Sequence, residues 1–203
     1  MTKSLLCIGL LSLTALTGCE SVGDSLNQMA GLGVVSQEQS TFDNETIIKV
    51  TPNFLFESQS DWGANNVKLG ARWKSSQPDN IIIDLVYDSS SSSGSSYAQI
   101  NSLEINLNNT KHSFTTNSAT SFDNSGYNSV SKTIYTKSQN AVVIPKGLLE
   151  KMVSADSCLI RINTNKGYQD SNFLIERSGG GAPTALLSIK EFLLEVNSEI
   201  KVE

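Results

Sequence analysis

The stretch Leu103-Glu104-Ile105-Asn106-Leu107-Asn108-Asn109-Thr110-Lys111-His112-Ser113-Phe114 decides the fold. Leu103, Ile105 and Leu107 alternate with Glu104 and Asn106. That two-residue period belongs to a strand with one face in a core and the other in water. Asparagine tolerates positive φ, so Asn108-Asn109 predicts a tight turn into a second strand over 111–116.

The same period recurs on both sides of this hairpin. Val67, Leu69, Ala71 and Trp73 alternate with Lys68, Gly70 and Arg72. The run 81–87 is apolar except at Asp84, which suits a strand inside the sheet. Runs at 47–50 and 54–56 are split by Pro52, which suits an edge or a bend. Further runs at 130–136, 141–144, 158–164 and 172–177 bring the expectation to about eight strands.

Two segments have helical spacing instead. Pro145 can open a first turn, and Leu148, Leu149, Met152 and Val153 then share one face of a short helix. Over 184–199, Leu186, Ile189, Phe192, Leu193 and Val196 form an apolar stripe that Ile200 continues, with Ser188, Lys190, Glu191 and Glu195 opposite. The fold class is therefore mainly β within α+β. It is an antiparallel β sandwich or curved sheet with one short inserted helix and a C-terminal amphipathic helix covering a face.

The amino terminus carries a different message. Lys3 precedes an apolar run from Leu5 to Leu16 broken only by small residues. This reads as a secretory signal, too short for the roughly 20 apolar residues that span a bilayer. Leu16-Thr17-Gly18-Cys19 resembles the lipobox of bacterial lipoproteins. The resemblance implies cleavage before Cys19 and lipid attachment at Cys19. Glu20 stands where an Asp tends to retain such proteins in the inner membrane, so the resemblance implies the outer membrane, with the domain facing the periplasm. Residues 1–18 are then the signal peptide, 19–44 a lipidated flexible tether, and 45–203 a single β-rich domain. A flexible tether of that length reaches about 25 Å.

Removing residues 1–18 takes Lys3 and no acid, which moves the formal charge from −5 to −6. With three arginines (Arg72, Arg161, Arg177) and scattered lysines, the chain has no basic stripe for phosphates, and nucleic acid is not an expected partner. Cys7 leaves with the signal and Cys19 is lipidated, which strands Cys158. Strict alternation puts Cys158, Ile160 and Ile162 on one strand face, opposite Arg161, so Cys158 is expected in the core.

No motif carries catalysis, and no catalytic, cofactor or metal site is expected. Asp88-Ser89-Ser90-Ser91-Ser92 matches the D-x-S-x-S pattern of von Willebrand A metal sites, but no amphipathic helix follows it, and the serine run 89–96 reads as a loop. Ser178-Gly179-Gly180-Gly181 lacks the lysine of a phosphate loop and reads as a connector. His112 is the only histidine and has no nucleophile elbow to serve. Asp61, Asp79, Asp123, Asp156 and Asp170 are scattered loop acids that could converge only in space. Trp62, Trp73, Tyr87, Tyr97 and Tyr127 could line a sugar platform, although alternation assigns Trp73 and Tyr87 to core. The functional expectation is a non-catalytic binding or accessory component, held at the membrane by its lipid and contacting an envelope protein complex or peptidoglycan. The alternatives are a glycan hydrolase using loop carboxylates and a carrier of a sugar or lipid.

Overall fold

The structure, a computed structural model, describes residues 18–56, 64–91 and 97–201. The signal stretch, Asp61, Trp62, residues 92–96 and the side chain of Cys19 lie outside the described residues. Thirteen elements follow in order: α1 (Gly18–Met29), β1 (Val35–Gln39), β2 (Thr46–Phe56), β3 (Ala64–Lys74), β4 (Asn80–Ser91), β5 (Ile100–Leu107), β6 (Thr110–Thr115), β7 (Ser121–Asn128), β8 (Thr133–Pro145), α2 (Lys146–Val153), β9 (Cys158–Thr164), β10 (Gly167–Asn172) and α3 (Ala185–Ile200). All ten strands join one antiparallel sheet in the order β6-β5-β9-β10-β2-β3-β4-β8-β7, with β1 paired to β2.

The expected hairpin is β5–β6. Leu107 pairs with Thr110, and Asn108 and Asn109 take φ of 46° and 67°, the left-handed region that asparagine tolerates. Leu103, Ile105 and Leu107 enter the core together with Val67, Leu69 and Trp73, as their alternation requires. α2 contributes Leu148, Leu149 and Met152, and α3 lays Leu186, Ile189, Phe192, Leu193 and Val196 against the same cluster. At about 25 cal/mol per Å² of apolar surface, this common core is the main stabilising term.

The sheet is strongly curved, and its two halves meet along a polar seam rather than a strand ladder. Ser138 and Asn140 point inward from β8. Ser138 Oγ accepts from the Ala98 amide at 3.1 Å, and Asn140 Nδ2 donates to the carbonyls of Ile100 at 3.2 Å and Ser118 at 3.1 Å. Thr120 Oγ1 accepts from the Ile100 amide at 3.0 Å. These side chains satisfy backbone groups that leave the sheet at its curl, where an unpaired buried group would cost about 1–3 kcal/mol.

Several boundaries differ from expectation. β2 is one strand through Pro52: a register shift between Val50 and Asn53 absorbs the proline, so Pro52 marks a bulge inside the sheet rather than an edge. The runs 130–136 and 141–144 merge into the single long strand β8 from Thr133 onward, with residues 130–132 in the turn before it. β7 pairs with β8 yet is exposed throughout, and its polar composition gave no alternation to read. β10 covers 167–172, while Phe173 turns into the core and the Arg177 backbone forms an isolated bridge with Pro183. Ser89–Ser91, expected as loop, extend β4 opposite Thr136–Ile134. Pro145 caps α2 from the end of β8 rather than sitting in its first turn.

Residues 19–44, expected as a flexible tether, contain α1 and β1. β1 pairs with β2 over five residues, from Val35↔Val50 to Gln39↔Thr46, held by backbone bonds that its polar side chains do not advertise. Behind it stands a buried polar knot. Asn53 Nδ2 donates to Ser188 Oγ at 2.9 Å and to the Pro183 carbonyl at 3.2 Å, and Asn27 Nδ2 donates to that carbonyl at 3.0 Å. Gly33, at φ 66°, closes the knot, since a Cβ there would lie 2.2 Å from Ser188 Oγ. Ser188, expected on the solvent side of α3, is buried for this reason.

Candidate functional site

Among the described residues three depressions stand out, and their charges separate them. The first lies between α1, α3 and the glycine connector, about 390 Å³, lined by Asp24, Asn27, Arg177, Ser188 and Glu191 among others. Two of its charged groups, Arg177 and Asp24, face each other. Arg177 Nη1 donates to Asp24 Oδ1 at 2.9 Å and to the Gly181 carbonyl at 2.8 Å. This is an internal seam, and Ser178–Gly181 serves it as a connector.

The second is shallow, about 160 Å³, on the outer face of β5, β9 and β10. Arg161 makes a two-pronged pair with Asp170 at 2.6 and 2.7 Å, and its guanidinium lies 3.9 Å from the centre of the Tyr168 ring. Asp170 holds the Arg161 guanidinium above the ordinary arginine range. Asn106 Oδ1, in the same lining, is buried without a hydrogen-bond donor.

The third is a cleft of about 320 Å³ on the outer face of β4, β8 and β7, lined by Asp88, Ser89, Asp123, Asn124, Ser125, Tyr135, Thr136 and Lys137. Strand register builds it. Lys137 pairs across β4 with Asp88 and across β7 with Asp123, so the three side chains form one row on one face. Tyr135, two residues along β8, shares that face and is about half exposed. A register shift between Asn124 and Tyr127 bends β7 here and brings Ser125 to the Tyr135 backbone, where Ser125 Oγ accepts from the amide at 3.3 Å.

Electrostatically the row is balanced only together with Lys68 of β3, and it is open. Asp88 is paired with Lys68 at 2.5 Å, and Lys68 also sits 4.7 Å from the centre of the Phe54 ring. Lys137 makes no ion pair within 4 Å among the described residues. Among the described residues Asp123 accepts only the short-range bond from the Asn124 amide, at 2.8 Å. One ammonium, one carboxylate and one phenol ring therefore remain free to meet a ligand, in a cleft at the small end of ligand-binding volumes.

No family model, curated protein or solved structure matches this chain. The cleft must therefore be read on its own chemistry.

The residues singled out in the sequence fall as follows. Asp123 and Asp88 come together in the third cleft, whereas Asp79, Asp156 and Asp170 are exposed elsewhere. Among the described residues no three His, Cys, Asp or Glu side chains cluster as metal ligands would. His112 is half-buried on β6 beside Phe114, on the face that packs toward the core. Trp73 is fully buried, its Nε1 donating to the Pro78 carbonyl at 3.1 Å, and Tyr87 packs against the core. Tyr97 packs at a tilt against Phe122 with centroids 5.1 Å apart and accepts from Asn124 Nδ2 at 2.8 Å; Tyr127 is exposed on the same hairpin. Cys158 is buried, and its thiol is pushed up to about 12 by burial. Sequence reading missed Tyr135 and Lys137, whose alternation with the buried Thr136 and Ser138 was the available signal.

Proposed function

We propose that this chain is a lipid-anchored protein of the bacterial outer membrane, attached through Cys19, whose domain binds an envelope glycan without transforming it. The lipobox sequence supports the anchor. The observation that carries the binding reading is the Asp88–Lys137–Asp123 row beside Tyr135. A neutral sugar needs an apolar ring to lie against and alternating donors and acceptors around its rim, and the row, balanced in charge once Lys68 is counted against Asp88, supplies these without selecting for a charged ligand.

A hydrolase reading of the same carboxylates is less well supported. A general acid needs apolar surroundings that keep it protonated, whereas Asp88 is ion-paired to Lys68 and Asp123 is exposed. The accessory role toward a protein complex stays as the competing outcome of the test.

The test is sedimentation of the acylated protein, held in detergent, with purified peptidoglycan sacculi. Wild-type protein should co-sediment. Tyr135→Ala should weaken binding about five- to tenfold, the loss of roughly 1 kcal/mol or more of ring contact. Wild-type protein left in the supernatant, or Tyr135→Ala that binds as well as wild type, refutes the glycan reading. In-cell crosslinking beside Cys19→Ala then decides for a protein complex if one defined partner is captured and is lost without the lipid.

A further inference from the structure

α1 has two faces with different fates. Gly23, Asp24 and Asn27 turn toward the domain: Asp24 meets Arg177, Asn27 meets the Pro183 carbonyl, and a Cβ on Gly23 would lie 3.0 Å from the Gly181 carbonyl. The helix thus rests closely on the glycine connector, and Gly23 permits the approach. On the other side, Leu26 is 60% and Met29 85% exposed. At about 100° per residue, positions 26 and 29 share a stripe, and position 19 lies in the first turn of the same helix, seven residues or nearly two turns before Leu26.

We infer that α1 lies along the bilayer surface, with Leu26 and Met29 seated among the lipids that receive the acyl chains of Cys19. The inference rests on the lipid-anchor reading and deepens it. The exposed pair Leu26 and Met29, on the helix whose first turn carries the acylation position, is matched by the lipid surface, because the acyl chains bring that surface to the start of α1. The opposite face is already committed to the domain by Asp24–Arg177 and Asn27–Pro183. α1 is then an interfacial helix, apolar below and docked above. The domain is held against the membrane rather than suspended on a flexible lead.

Spin labelling tests this directly in the acylated full chain, because Cys158 is buried and Cys19 is blocked by lipid, so one introduced cysteine is labelled alone. Leu26→Cys, Met29→Cys and Val130→Cys are each labelled with a nitroxide and reconstituted in phosphatidylethanolamine–phosphatidylglycerol vesicles. Val130 is 93% exposed at the β7–β8 turn and serves as the aqueous reference. Positions 26 and 29 should be accessible to oxygen and shielded from a polar nickel chelate, with the reverse at 130. Aqueous accessibility at 26 and 29 in protein that floats with the vesicles overturns the inference while leaving the anchor intact. An intact mass without acyl chains on Cys19 overturns the anchor itself, and the inference with it.

Discussion

Cys158 shows how burial sets chemistry at the scale of one residue. It sits on the core face of β9 with Ile160 and Ile162, and removal from water disfavours its thiolate, which pushes the thiol up to about 12. The folded protein should resist a thiol reagent at pH 8 and react stoichiometrically once denaturant unfolds it, a contrast that absorbance of the released chromophore measures. Between the ordinary thiol value near 9 and about 12, the unfolded chain has lost this proton and the folded chain retains it. Stability contributed by the neutral thiol is thus present below pH 9 and falls as pH rises above it. Denaturant midpoints at pH 8 and pH 10 should show that decline, and Cys158→Ala should remove the part due to this group.

At the scale of elements, the bulge in β2 and the glycine opposite it form one device. Pro52 lacks an amide hydrogen and is accommodated by the shift between Val50 and Asn53, which drives the β2 backbone toward β3 at Gly70. A Cβ on Gly70 would lie 2.8 Å from the Val50 carbonyl oxygen and 3.0 Å from the Pro52 nitrogen, both backbone atoms with little freedom to move. Gly70→Ala should therefore destabilise the protein by about 1–3 kcal/mol, even though alanine is ordinarily the better strand residue of the two. Urea unfolding with an unchanged slope and a lowered midpoint is the expected result. A midpoint equal to wild type would mean that the bulge relaxes. The connector before α3 is similarly fastened: Lys190 pairs with Glu176 at 2.7 Å and holds its carboxyl below the usual carboxylate range.

At the scale of the whole molecule, the curl of the sheet depends on the polar seam. Asn140 is nearly buried, and its amide bridges β8 to segments 98–100 and 118–120. Asn140→Ala removes the amide that donates to the Ile100 and Ser118 carbonyls and to Thr120 Oγ1, at a cost of about 1–3 kcal/mol. For a domain of this size that is a fall in Tm of roughly 2–12 °C, readable by calorimetry. Asn140→Leu should be no better, because it restores volume but not the donors.

The alternation in 103–107 and 67–73, the Asn108-Asn109 turn, the core position of Cys158 and the stripe of α3 were legible in the sequence because each depends on local periodicity and backbone preference. A mainly antiparallel, curved sheet with a C-terminal helix follows from those alone. Strands β1, β7 and β10 were not legible. Their side chains are mostly polar and exposed, and they are held by backbone bonds to neighbours that only the folded chain supplies. The cleft was legible only in fragments. Asp88, Asp123 and Lys137 are far apart in the chain and become one row through cross-strand register, which no local pattern encodes. The docking of α1 likewise needs Arg177, 153 residues from Asp24, to face it. Local periodicity fixes which side of each element is apolar; long-range pairing decides which polar groups meet.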